Sequence, residues 1–206
     1  MMLSAAEPRR RHLTALFLDG EFAVSVDTET FLKSGLKPGA ELSDEALHEL
    51  IRASDARRAE EKALYLLEYR ARSKKELADR IARTAPREAA ERAARHMEEL
   101  GLVNDEEYAR TLARELFGRK GYAASRVQLE LQRRGVDREL ARQAAEEFAP
   151  DPEEAIRGIV RRRYGTVLGD EKGRRRCVAA LQRLGYRWDE IRPALQELTM
   201  DEDGSE

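Results

Sequence analysis

The chain has 206 residues, with 38 Lys and Arg against 40 Asp and Glu, so its formal charge at neutral pH is −2. A total so near neutral excludes bulk basicity as a reason to bind nucleic acid, and the single Cys177 excludes an intramolecular disulfide, which fits a reducing cytoplasm. Charged residues make up 38% and aromatics 6%, a composition that favours thin helical layers over one large aromatic core.

The first ten or so residues, with Arg9, Arg10 and Arg11, read as frayed; the apolar run after them is too short for a signal peptide or a membrane span. Leu13 to Leu18 and Phe22 to Val26 read as strands, and the Asp19-Gly20 pair between them predicts a type I′ hairpin, because both turn positions need positive φ. Phe31 to Leu36 reads as a short helix and Lys37-Pro38-Gly39 as a turn. Ser43 is a candidate N-cap for a helix over Asp44 to Ala53.

From Ala56 the chain reads as helix after helix. The first trio is Ala56–Arg70, Lys74–Ala82 and Pro86–Leu100, with capping-box spacing at Ser73 and Glu76 and a closing glycine at Gly101. The second runs from Asn104 or Asp105 to Phe117, from Ala123 to Arg134, and from Arg138 to Phe148 behind Asp137. The third is Pro152–Tyr164, Asp170–Leu184 and Trp188–Leu198, opened by the strong start signal Asp151-Pro152-Glu153-Glu154. Core stripes are expected at Leu140, Ala144 and Phe148, and at Ile191, Leu195 and Leu198.

A phrase comes twice: Leu131-Gln132-Arg133-Arg134-Gly135 returns as Leu181-Gln182-Arg183-Leu184-Gly185. Third helices begin near 86, 137 and 188, so the period is about fifty residues. The predicted fold is all-α: three tandem three-helix repeats in an elongated curved array, with a small N-terminal β-hairpin plus helix. The corresponding divisions are 1–55 for the extension, 56–103, 104–150 and 151–200 for the repeats, and 201–206 for an acidic disordered tail.

No chemistry-bearing motif is present: there is no phosphate-cradling loop with a Lys-Ser/Thr ending, and His12, His48 and His96 are scattered without ligand spacing. Neither a catalytic centre, a metal nor a cofactor is expected. Cys177 reads as a small core residue. The positive candidates are all basic and fall at comparable places in the trios: Arg70, Arg72, Lys74 and Lys75; then Arg119, Lys120, Arg126, Arg133 and Arg134; then Arg161, Arg162, Arg163, Lys172, Arg174, Arg175, Arg176 and later Arg183. Such side chains pair with phosphates or with a partner's acidic residues. The simpler reading is a set of solvated helix faces whose long stems cover core edges. Tyr65, Tyr69, Tyr108, Tyr122, Tyr164, Tyr186 and Trp188 flank these groups and are assigned to the core rather than to a base-stacking platform.

The run Ala63-Leu64-Tyr65-Leu66-Leu67-Glu68-Tyr69-Arg70-Ala71-Arg72-Ser73-Lys74-Lys75-Glu76-Leu77, then Leu100-Gly101-Leu102-Val103-Asn104-Asp105-Glu106-Glu107-Tyr108-Ala109, then Leu131-Gln132-Arg133-Arg134-Gly135-Val136, resembles the RecX family of bacterial regulators. Asp19-Gly20-Glu21-Phe22 resembles the N-terminal extension of its longer members. The resemblance spans about Leu13 to Leu198 and departs from the family pattern in two places: Arg187 stands where a small hydroxyl cap is common, and the first trio lacks a glycine matching Gly135 and Gly185. It implies a non-enzymatic, cytoplasmic protein that binds the RecA recombinase filament and modulates, mostly inhibits, its ATPase, strand-exchange and coprotease activities in DNA repair and recombination. A monomer without membrane contact is expected, with DNA phosphates as a further partner. The rival reading is an independent DNA-binding protein with tandem helix-turn-helix-like units; no trio carries an evident base-reading set of Asn, Gln and Arg on one helix.

Overall fold

The computed structural model describes residues 1–164 and 171–203, with side chains through 196. The chain divides into two compact units, Met1–Asn104 and Asp105–Glu206.

The first unit opens with a three-stranded antiparallel sheet, β1 (Leu3–Arg9), β2 (Leu13–Leu18) and β3 (Glu21–Asp27), ordered as in the sequence. At the β2–β3 turn Asp19 and Gly20 both take positive φ, 51° and 91°, and Leu18 pairs with Glu21, as the type I′ geometry requires. The opening residues, read as frayed, instead form β1. Leu3 is sealed into a core with Leu16, Val26, Phe31, Leu42 and Leu50, and a shift in register between Leu3 and Ala5 disrupts the strand. That irregularity hides the period-two pattern by which a strand is recognised.

Helix α1 (Thr28–Lys33) starts on Asp27, whose carboxylate accepts from the Thr30 N–H at 2.8 Å. The Pro38-Gly39 turn closes with the Ala40 N–H donating to the Lys37 carbonyl at 3.0 Å. Ser43 then caps α2 (Asp44–Tyr69) by accepting from the Ala46 N–H at 3.2 Å. The sequence reads as two helices here, broken between Ala53 and Ala56; the chain makes one of 26 residues. No Gly or Pro interrupts it; Leu50 and Ser54 are buried on one side, against the N-terminal sheet, and Ala59, Ala63 and Leu66 on the opposite side, in the core of the first trio. The Ser54 hydroxyl caps nothing in α2, because it accepts from the Asp27 N–H at 2.7 Å and fastens the helix to the end of β3. Helix α3 (Lys74–Ile81), capped by Ser73, and α4 (Arg87–Glu99), preceded by Pro86, complete the unit.

In the second unit α5 (Asp105–Glu115) passes into a π-helical turn, Leu116–Lys120, that ends at Gly121 with φ 68°. Helices α6 (Ala124–Arg133) and α7 (Arg138–Phe148) follow, the latter capped by Asp137. Asp151 caps α8 (Pro152–Arg163), with Pro152 in its first turn. Helix α9 (Glu171–Arg183) comes next; its expected start at Asp170 lies outside the described residues. Helix α10 (Trp188–Asp203) has no hydroxyl cap at Arg187, but the Arg187 N–H donates to the Glu190 carboxylate at 2.7 Å, the other half of a capping box. The helix also runs through 203 into the acidic segment expected to be disordered from 201, since no breaker stands between Pro193 and Gly204. The expected place of Leu198 in a core stripe lies outside the described side chains.

The repeat is visible in which residues are buried. Ala59, Ala109 and Ile159 are buried in α2, α5 and α8; Leu77, Val127 and Cys177, and again Ile81, Leu131 and Leu181, in the middle helices α3, α6 and α9; Ala93, Ala144 and Ala194 in α4, α7 and α10. These positions recur fifty or fifty-one residues apart, and each trio has a small core of its own. The middle helices α6 and α9 end on Gly135 and Gly185, both with positive φ, while Val136 and Tyr186 donate back to the carbonyls of Leu131 and Leu181. Helix α3 ends without glycine: Ala82 stays right-handed, and the amides of Thr84 and Ala85 both reach the Ile81 carbonyl.

Candidate partner-binding surface

In the first unit, three arginines converge on one carboxylate. Glu76 Oε1 accepts from Arg72 at 2.8 Å, from Arg80 at 3.0 Å and from Arg70. Burial would raise the Glu76 pKa, but hydrogen bonds from Arg70 and Arg80 and the charges of Arg70 and Arg72 outweigh it and hold the carboxyl below its ordinary 4.5. Arg72 is 7% exposed and also donates to the Leu66 carbonyl at 3.3 Å. It braces the α2–α3 junction and presents no charge to a partner. Lys74 reaches both oxygens of Glu98 at 2.9 Å. Lys75 is exposed and makes no polar contact among the described residues.

In the second unit, Arg126 is likewise committed to the fold. Its Nη1 donates to the Arg183 carbonyl at 2.9 Å, and its guanidinium lies over the Tyr122 ring, 5.0 Å from the centroid. Two further bonds join the same places: the Ala123 N–H donates to the Leu184 carbonyl at 2.9 Å and the Ser125 hydroxyl to the Gly185 carbonyl at 3.1 Å. The start of α6 is thus clasped to the α9–α10 turn. Arg133 pairs with Glu130 at 3.1 Å, Arg119 with Glu115 at 3.3 Å, and Arg175 with Glu171. Arg162 donates to the Gly158 carbonyl at 3.0 Å. Arg134 and Arg174 are exposed but carry interactions of their own.

Six of the candidate cations in the second unit are exposed and have no side-chain polar partner among the described residues: Lys120, Arg161, Arg163, Lys172, Arg176 and Arg183. Three share one line. Lys172, Arg176 and Arg183 stand four and eleven residues apart on α9, which places them within about 40° of one another around the helix. Gly173, Cys177 and Leu181 occupy the buried side. A fourth cation outside the sequence-derived set belongs with this group by position: Arg83 precedes Arg133 and Arg183 by fifty and one hundred residues, and all three are exposed at the ends of middle helices. The missing glycine of the first trio conceals it, because the Leu-Gln-Arg phrase is absent there; counting back by the period finds it.

The aromatic assignment holds for Tyr186, which is buried with its hydroxyl pushed up to about 12 by burial and by the charge of Glu190. It fails for Tyr65, Tyr69 and Trp188, which are 49%, 70% and 54% exposed. Cys177 is buried, and burial raises its thiol pKa, which keeps it protonated and unreactive at neutral pH. Among the described residues no cluster of His, Cys, Asp or Glu could hold a metal ion, and no helix is long and apolar enough to cross a membrane.

Residues 104–144, which include α5, the π turn and α6, match the family model described as RecX, second three-helix domain. Over 151 residues the chain is 32% identical to the regulatory protein RecX of Caldanaerobacter subterraneus subsp. tengcongensis, covering 72% of this chain and 76% of that one. The chain belongs to the RecX family. Similarity to the regulatory protein RecX of Bacillus subtilis is lower, 28% over 193 residues, but takes in 91% of this chain and 73% of that one. A crystal structure of a regulatory protein RecX superposes with a TM-score of 0.63 at 17% identity, covering 93% of this chain and 98% of the other.

Proposed function

We propose that this RecX-family protein binds the filament of the RecA recombinase and restrains its ATP hydrolysis, strand exchange and coprotease activity, acting as a cytoplasmic monomer without catalysis of its own. The observation that carries the reading is the row of unpaired cations on α9, Lys172, Arg176 and Arg183, with Arg83 and Arg133 at the equivalent ends of the other middle helices. Charges left unpaired on rigid helices are pre-organised for acidic side chains or phosphates. The trios within 56–103, 104–150 and 151–200 serve as the contact units. Each needs only a modest affinity, because neighbouring recombinase subunits present the next contact at high effective concentration.

The test is inhibition of recombinase ATPase on single-stranded DNA by the triple variant K172E/R176E/R183E. Half-inhibition should require at least about tenfold more protein than the parent, since reversal of each rim charge both removes an attraction and adds a repulsion. Undiminished inhibition by a variant with native circular dichroism rejects this surface. A salt titration on bare duplex DNA covers the rival: tight, sequence-selective binding would favour the helix-turn-helix reading over the filament.

A further inference from the structure

The first unit holds an aromatic and basic row outside the surface proposed for the recombinase. Arg58, Lys62, Tyr65 and Tyr69 are spaced four, seven and eleven residues along α2, so they fall within about 60° of one another on the helix and span about 16 Å. The Tyr65 and Tyr69 rings meet edge to face, centroids 5.1 Å apart, with their hydroxyls 3.1 Å apart, and Lys62 Nζ stands 4.8 Å from the Tyr65 centroid. Arg58, Lys62 and Tyr65 line a cleft of about 660 Å³, with Arg11, Leu13 and Thr84 among its other walls. Arg11 sits in the β1–β2 turn, where Arg11 and His12 hold φ of 62° and 57°. Non-glycine residues adopt that conformation at an energetic penalty, and such strain concentrates where a side chain must be aimed.

The charge of the cleft is positive where it is free. Asp27 and Glu61 also line it, but Arg57 pairs with both at 3.1 Å. Arg58 is held only loosely, 3.9 Å from Asp55, and neither Arg11 nor Lys62 has a carboxylate partner among the described residues. Cations that track a backbone, beside aromatic rings open to solvent, are the two parts of a site for unpaired bases. Duplex would satisfy the cations alone and leave the tyrosines idle, since its bases are stacked on one another. We propose that the α2 row and the adjoining cleft bind a single-stranded polynucleotide, with phosphates on Arg11, Arg58 and Lys62 and bases stacked on Tyr65 and Tyr69.

Fluorescence anisotropy with the full-length protein, labelled oligo(dT) and oligo(U), and a duplex of equal length tests this without recombinase, so its outcome is independent of the filament reading. The Y65A/Y69A variant should bind at least one single strand roughly ten- to a hundredfold more weakly, with duplex binding unchanged, whereas Y65F/Y69F, which keeps the rings, should bind as the parent does. Reversal of Arg11, Arg58 and Lys62 to Glu should lower the slope of log affinity against log salt by about two. Photocrosslinking of iodouracil-substituted strands to the unmutated protein should label Tyr65 or Tyr69. Equal binding by the parent and Y65A/Y69A, equal loss for single strand and duplex, or crosslinks confined to the second unit would each overturn the proposal.

Discussion

Glu76 is legible from the sequence in one role and illegible in another. Its spacing from Ser73 marks a capping box, and Ser73 does cap, accepting from the Glu76 N–H at 3.1 Å. The Glu76 side chain also gathers Arg70, Arg72 and Arg80. Glu76→Gln should therefore destabilise the fold by about 2–4 kcal/mol at neutral pH, because it leaves Arg72 buried without a counter-charge. Since the folded state holds this carboxyl below 4.5, its contribution is present above that pH and is lost as pH falls through the folded value. Melting curves from pH 6 to pH 3 should show the parent converging on the variant at the acid end. Gly185 is a second such residue: with φ at 99°, an added Cβ would lie 2.7 Å from the Arg126 Cβ. Gly185→Ala should cost about 1–3 kcal/mol in chemical denaturation, through both the left-handed backbone and the clash. A helix-stop glycine is readable from sequence; that α6 presses against it is not, because the contact joins Arg126 and Gly185, fifty-nine residues apart.

Among the elements, α2 departs furthest from expectation. Propensity favours helix on both sides of Ser54-Asp55, and local signals cannot distinguish a boundary there from a continuation. The hydrogen bond from the Asp27 N–H to the Ser54 hydroxyl, at 2.7 Å, belongs to the tertiary structure and decides for continuation. Ala56→Pro separates the alternatives. Proline suits the first turn of a helix that starts at 56, but in the interior of a continuous helix it should cost about 3 kcal/mol or more, measurable as a fall in melting temperature with loss of helical signal. β1 was illegible for a related reason: its partners lie on β2, and pairing across a strand compensates for its weak and bulged pattern.

For the molecule as a whole, the first helical trio keeps an apolar core separate from those of the other two, so damage to it should remain local. Ile81→Ala removes a fully buried side chain from the core that runs from Ala59 to Val103. It should cost about 2–5 kcal/mol. Native-state hydrogen exchange should accelerate in α3 and α4 while the slowest amides of α7 keep their rates. The basic candidates divide on the same tertiary grounds: Arg72 and Arg126 serve the fold, whereas Lys172, Arg176 and Arg183 remain available. Composition, helix starts and stops and the fifty-residue period are determined by the sequence alone, because capping, turn chemistry and amphipathic spacing act over a few residues. Which arginines are free, which tyrosines face solvent and whether α2 runs on through Ser54 were decided only by tertiary structure. Those outcomes depend on what a distant segment brings alongside, as Asp27 does for Ser54 and the α9–α10 turn does for Arg126, and spacing along the chain carries no record of such meetings.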